Sequence, residues 1–346
     1  MICHADPLNC ETPLARLGDD VTPTADFYAR NHFQIPTLEL STWRLRISGQ
    51  VERPLSLSLE DLMRMRSETK VVTLECAGNG RSMFNALTDG EQWTLGAVST
   101  AEWTGVPLVE VLDRVGIEPR ACEILFRGAD GGRIPHPDPP PQGEGNTRFE
   151  RSLALDVARD SRSLLAYAMN GEPLPERHGY PLRLIVPGWY GVASVKWLTE
   201  IELIENAFAG YFQTDKYVYE WERDGRVVRE PVTVARVRSM ITEPASDAEI
   251  PAGNLAIRGL AWSGAAPIAR VEVSIGGGPW RKARLMGNQN RYGWRRWELT
   301  SVLGQGTIAL RARATDLAGN MQPALPEWNR LGYGANSIQE VAVRVR

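Results

Sequence analysis

The sequence predicts a two-part chain: a mixed α+β region over residues 1–230 and an all-β sandwich over residues 231–346. Three observations carry this. The chain has 346 residues, more than one hydrophobic core usually serves. Before about residue 230, strand-like runs alternate with short helical patterns. Beyond it, apolar and polar residues alternate strictly between glycine and proline turns, the pattern of an antiparallel sandwich. The change falls between residues 222 and 236, with no long linker.

The elements follow in order. Residues 1–30 read as an irregular arm, because Pro7, Pro13 and Pro23 break any helix. WRLRISG (43–49) reads as a strand. Ser58 is placed to cap a short helix, SLEDLMRM, with Asp61 at the third helical position. VVTLE (71–75) is a strand that leads into Cys76. Pro107 opens a helix in which Leu108, Val111, Leu112 and Val115 share a face, and Gly116 ends it. ILFRGADGG (124–132) is a strand with a glycine turn. The segment HPDPPPQGEG (136–145) has the composition of a mobile surface insertion. LALDVA and LLAYAMNG come next, PLRLIVPG follows as a buried strand, and VKWLTEIEL (195–203) is another strand. In the sandwich, Val271, Val273 and Ile275 face one way. Ile308, Leu310, Ala312 and Ala314, and then Val341, Val343 and Val345, do the same.

A net charge of −3 and a pI near 6.0 give no basis for bulk nucleic-acid or membrane attraction. No apolar run approaches membrane-spanning length. The N-terminus has no basic region followed by a long apolar core, so with Met1 as the start the chain is expected in the cytoplasm. The four cysteines, Cys3, Cys10, Cys76 and Cys122, are too few for a disulfide scaffold. Cys3, His4 and Cys10 match no zinc spacing, and exposed cysteines on a frayed end are expected there.

Cys76 is the chemically suggestive residue. It stands in LECAGNGRS, where a strand meets a turn of small residues. Three readings are open: a core thiol, a nucleophile and a metal ligand. Gly78 and Gly80 let another body approach closely, and the Arg81 charge favours thiolate. The histidines are His4, His32, His136 and His178, and no catalytic signature surrounds the thiol. One thiolate cannot hold zinc or an iron–sulfur cluster, but it could complete the shell of a metal carried by an organic cofactor. An anchoring segment rich in basic residues lies at 178–198.

With FYARNHFQIP (27–36), residues 164–198 and ATDLAGNMQPALPEWNRLGY (314–333), this motif resembles the sulfite oxidase family of molybdopterin enzymes, over roughly residues 20–340. The resemblance implies a sulfite-oxidase-type molybdopterin-binding domain followed by an immunoglobulin-like domain that forms a homodimer. It implies a molybdenum–molybdopterin cofactor ligated by Cys76. Arg30 and Arg81 match arginines that hold an oxyanion, Tyr217 the active-site tyrosine and Trp93 a pocket-lining tryptophan. His32, His178, Arg183 and Lys196 match positions that contact the pterin and its phosphate. Structural readings stand beside these: Trp93 as core, Arg183 paired with a carboxylate, and Lys196 snorkelling to the surface.

The implied reaction is oxygen-atom transfer, foremost the oxidation of sulfite to sulfate. The chain has no haem-binding region, so electrons are expected to pass to a separate acceptor such as a cytochrome. Leu331 stands where sulfite-oxidising members have an arginine, and Arg330 beside it is expected to face the other way. That departure motivates an alternative, reduction of nitrate or an organic S- or N-oxide. A non-catalytic dimerisation or binding module is the third reading.

Overall fold

The computed structural model describes residues 3–84, 88–133, 147–160 and 162–346. Strands dominate, and helices are short, so the helical share of the expected α+β region is small. The N-terminal part holds two five-stranded sheets. One orders Glu172–Pro173, Leu164–Met169, Val98–Pro107 and Glu68–Glu75, with Arg183–Ile185 also paired to Leu164–Met169. The other orders Leu55–Leu57, Leu45–Gly49, Leu198–Ile204, Glu123–Gly132 and Thr147–Ala154. This second sheet is mixed, since Leu198–Ile204 runs parallel to Leu45–Gly49 and antiparallel to Glu123–Gly132.

The helix expected after Pro107 spans Leu108–Val115. Its four apolar residues are buried in the cluster that contains Ile47, Ile124 and Leu184. Such burial contributes roughly 2 kcal/mol per side chain. Gly116 stops the helix at φ 67°, a left-handed conformation that favours glycine. The expected cap also forms: Ser58 Oγ accepts from the Asp61 amide, and the Asp61 carboxylate accepts from the Ser58 amide.

The C-terminal part is two packed sheets. Arg238–Glu243, Gly253–Trp262, Arg295–Leu303 and Arg284–Met286 form one. Glu249–Ile250, Glu340–Val345, Gly306–Asp316, Ile268–Ile275 and Arg281–Lys282 form the other. The predicted alternation holds: Val271, Val273, Leu310, Ala312, Ala314, Val341 and Val343 share one core with Trp297.

The N-terminal arm departs from expectation. Cys3–Ala5 and Leu8–Cys10 form a hairpin, and Cys10 is buried and disulfide-bonded rather than exposed. The Cys10 and Ala29 backbones exchange two hydrogen bonds of 2.8 and 2.9 Å, which lays the hairpin along the FYARNH segment. The proline-rich stretch 136–145, with His136, lies outside the described residues. No described helix is long and apolar enough to cross a membrane.

Candidate active site

The strand Glu68–Glu75 ends one residue before Cys76, and the chain then turns tightly. The Cys76 amide donates to the Ala97 carbonyl at 2.9 Å, and the Asn79 amide returns to the Cys76 carbonyl at 2.9 Å. Gly80 sits at φ 81°. The thiol is free and buried. Burial pushes its pKa up, while the Arg30 charge, the Gly78 amide and the Arg81 charge pull it back. The turn is braced from the C-terminal part. Arg238 Nη1 donates to Glu75 Oε1 at 2.9 Å and to the Asn79 carbonyl at 3.2 Å. Trp262 Nε1 donates to Glu75 Oε2 at 2.9 Å.

The glycines clear space for something other than expected. A Cβ on Gly78 would lie 2.8 Å from Arg81 Nη1, and one on Gly80 would lie 2.6 Å from Arg238 Nη2. Their small size therefore lets two guanidinium groups pack against the turn.

Cys76 lines a cleft of about 670 Å³, counting the solvent at its open side. Arg30, His32, His178, Arg183, Lys196 and Tyr217 line the same cleft, so seven of the nine predicted site residues converge there. Arg81 and Trp93 are buried close by but do not line it. Arg81 Nη1 donates to the Glu91 carbonyl at 2.8 Å and Nη2 to the Leu331 carbonyl at 3.0 Å, and its guanidinium lies over the Tyr333 ring. Trp93 packs in the apolar cluster that contains Cys76 and Trp103. Leu331 is 6% exposed and belongs to the main core with Tyr217 and Tyr333. Arg330 is exposed and forks onto Glu220, so it does face away from Leu331.

His32 joins two of these groups. Its ring stacks on Phe149, Nδ1 lies 3.1 Å from Arg30 Nη2, and Nε2 lies 2.7 Å from the Tyr217 hydroxyl. A guanidinium can only donate, so Nδ1 accepts and Nε2–H donates to the Tyr217 oxygen. The Tyr217 proton is then free to be donated elsewhere. Burial, followed by the Arg30 charge, lowers the His32 pKa well below the ordinary range and keeps the ring neutral. Burial pushes Tyr217 up to about 12, so it stays protonated.

The opposite wall is basic. Arg183 lies over the Trp103 ring and donates to the carbonyls of His178 and Ser194, not to a carboxylate. Its Nε is buried without a partner, and burial lowers its pKa to about 10. Lys196 donates to Asn31 Oδ1 and to the Arg177 carbonyl and lies over the Trp197 ring, so it does not reach for solvent. Burial also lowers the His178 pKa.

Asp130 was not legible in the sequence. It lines the cleft, Oδ1 is buried without a partner, and burial raises its pKa to about 6 against the pull of Lys196. A glycine-rich turn hides it, and no motif marks it. These orphaned donors and acceptors, with a free thiol beside them, fit a polar anionic group that also offers a metal to sulfur. Among the described residues, no cluster of three or more His, Cys, Asp or Glu could hold a metal.

Residues 32–212 match the oxidoreductase molybdopterin binding domain family, and residues 229–346 match the Mo-co oxidoreductase dimerisation domain family. The chain is 34% identical to the mitochondrial sulfite oxidase of Rattus norvegicus over 362 residues, covering 98% of this chain and 64% of that protein. It is 36% identical to the sulfite oxidase of Gallus gallus over 349 residues, covering 94% and 74%. A nitrate reductase of Hordeum vulgare is 34% identical over 377 residues, covering 98% and 41%. Among solved structures, the sulfane dehydrogenase SoxCD from Paracoccus pantotrophus superposes with a TM-score of 0.86 at 32% identity, covering 99% of this chain and 86% of that one. The chain thus spans 64% of the length of the mammalian sulfite oxidases it matches.

Proposed function

The chain belongs to the sulfite oxidase family of molybdopterin-dependent oxidoreductases, and we propose that it oxidises sulfite to sulfate and passes the electrons to a separate acceptor such as a cytochrome. The observation that carries this is the free, buried Cys76 thiol in a cleft walled by Arg30, Arg183, Lys196 and Tyr217.

In this reading Cys76 is the protein's ligand to molybdenum. Arg183, Lys196 and His178 would hold the pterin and its phosphate and Asp130 would accept from the pterin, while His32, both ring nitrogens of which are taken by Arg30 and Tyr217, would only shape that wall. When bound, the cofactor supplies the transferable oxygen and takes up two electrons. The chain's own share is binding and electrostatics. Arg30 orients the anion, and Tyr217, kept protonated and turned outward by His32, donates a hydrogen bond to it. Arg81 and Trp93 act one layer back, Arg81 by fixing the Leu331 backbone and adding positive potential. The C-terminal sandwich is read as the immunoglobulin-like dimerisation domain, beginning near residue 231, with a homodimer as its product.

The Cys10 disulfide argues for an oxidising compartment, against the cytoplasmic placement expected from the N-terminal sequence. A second reading, reduction of nitrate or of an S- or N-oxide, is favoured by one observation: Leu331 contributes no charge to the cleft. Side-by-side assays separate the two. Sulfite with an artificial electron acceptor should give turnover, and nitrate with a reduced dye should not. The reverse pattern would replace the first reading with the second. The non-catalytic alternative requires a Cys76→Ser protein that keeps full cellular function.

A further inference from the structure

We propose that Asn9, on the N-terminal hairpin, is a positioning residue that fixes Arg30 in the cleft without neutralising it, so that the guanidinium keeps its charge and its free donors for the oxyanion. The proposal rests on the oxyanion reading above and extends it to a residue that no motif marks.

Arg30 lines the cleft with Cys76 and Tyr217. Its Nη1 donates to Asn9 Oδ1 at 3.2 Å and to the Asn31 carbonyl, and its Nη2 donates to His32 Nδ1 at 3.1 Å. A guanidinium carries five N–H donors. Among the described residues these three are engaged, which leaves Nε–H and one hydrogen of Nη2. Two donors on a planar fork suit two oxygens of one anion. None of the three partners carries a charge: they are a side-chain amide, a backbone carbonyl and a neutral imidazole. Arg30 is therefore given a direction without being given a counter-ion.

Asn9 is buried at 2% exposure, and both ends of its amide are fully used. Oδ1 accepts from Arg30 Nη1 and from the Asn31 backbone amide at 2.7 Å. Nδ2 donates to the Pro7 carbonyl at 3.1 Å and to Glu91 Oε1 at 3.3 Å. Donors face the oxygen and acceptors face the nitrogen, so the amide has one orientation. The frame around it is anchored as well. His4 Nδ1 meets Glu91 Oε2 at 2.7 Å, and Asn31 Nδ2 donates to the Leu8 carbonyl at 2.6 Å. Asn9 does not line the cleft, so its influence on a bound anion runs through Arg30. A carboxylate at this position would hold Arg30 more tightly but cancel its charge. An apolar side chain would leave one Arg30 donor and the Asn31 amide without their acceptor.

The test uses the molybdenum-loaded protein. Sulfite turnover is measured with an artificial acceptor, and sulfate binding is measured by calorimetry. Asn9→Ala should raise the sulfite KM at least ten-fold and weaken sulfate binding to match, with kcat falling less than three-fold and molybdenum content unchanged. In an Arg30→Met background the same substitution should change the sulfite KM by less than two-fold, because its effect runs through Arg30. A second variant, Asn9→Asp/Glu91→Gln, keeps the side-chain shape and the accepting oxygen, and the new amide can donate back to the carboxylate. It should load molybdenum as the parent does and still raise the sulfite KM at least ten-fold, whereas Glu91→Gln alone should stay within two-fold. A sulfite KM within two-fold of the parent in both Asn9 variants, or a rise in the R30M background equal to that in the parent, would overturn the proposal. If the parent reduces nitrate and does not oxidise sulfite, a ten-fold rise in the nitrate KM of the same variants keeps Asn9 in its role, and the sulfite reading alone falls.

Discussion

The brace behind Cys76 makes a quantitative prediction. Arg238 and Glu75 are both nearly inaccessible, at 2% and 3% exposure, and lie 163 residues apart in sequence. Replacing Arg238 with Met removes the 2.9 Å ion pair and the 3.2 Å bond to the Asn79 carbonyl. Glu75 keeps Asn79 Nδ2 at 3.0 Å and Trp262 Nε1 at 2.9 Å, two neutral donors for a full buried charge. Breaking a buried pair in this one-sided way costs about 3–5 kcal/mol. At about 2–4 °C per kcal/mol for a large domain, Tm should drop by roughly 6–20 °C. The double variant Glu75→Gln/Arg238→Met removes the stranded charge and should recover at least half of the loss. Scanning calorimetry of the parent, both single variants and the double variant closes the cycle. Molybdenum content, read on the same samples, should fall in R238M and return in the double variant. A Tm drop below about 2 °C in R238M, or a double variant no more stable than R238M, would refute the reasoning, because the charge would then not be stranded.

Other consequences follow from the same geometry. Tyr217→Phe deletes a hydrogen-bond donor to a charged substrate, worth about 1.5–3 kcal/mol. Sulfite kcat/KM should therefore fall about ten- to hundred-fold, with molybdenum content unchanged. Asp130 titrates near 6 in the folded chain, above its unfolded value, so the native state binds the proton more tightly. Stability linked to Asp130 is fully present below about pH 4 and is lost as pH rises through 6. Asp130→Asn should consequently stabilise the cofactor-free protein at pH 8 and leave it unchanged at pH 4, read from urea midpoints. Leu331→Arg places a charge in a core position with 6% exposure, so it should lower Tm by several degrees rather than improve the sulfite KM.

The sequence made local features legible. Four apolar residues at helical spacing after Pro107 gave the helix Leu108–Val115, and Ser58 with Asp61 gave its neighbour's cap. Alternation in the last hundred residues marked the sandwich strands, because a one-face-buried strand has a period of two. Cys76, Arg30 and His32 stand in long motifs, which is why the sequence singles them out, whereas Tyr217 matches outside those motifs through a loosely spaced stretch; the structure brings all four to one cleft. Pairings across long sequence distances were not legible. The Arg238–Glu75 brace, the Arg81–Leu331 contact and the Asp130 lining have no local signature. The prolines of the arm concealed a hairpin, since Pro7 sits in its turn rather than breaking a longer element. The expectation that Arg81 faces substrate failed for a related reason: its side chain fills the space that Gly78 leaves, and turns toward carbonyls.

The central claim is that Cys76 and the basic cleft hold a molybdenum cofactor that acts on sulfite. Its most direct test is metal and pterin analysis of protein produced in a host that loads other molybdenum enzymes, followed on the same sample by sulfite-dependent reduction of an electron acceptor. The account predicts about one molybdenum and one pterin per chain, with acceptor reduction that disappears in Cys76→Ser. Protein that carries neither molybdenum nor pterin under those conditions would contradict it.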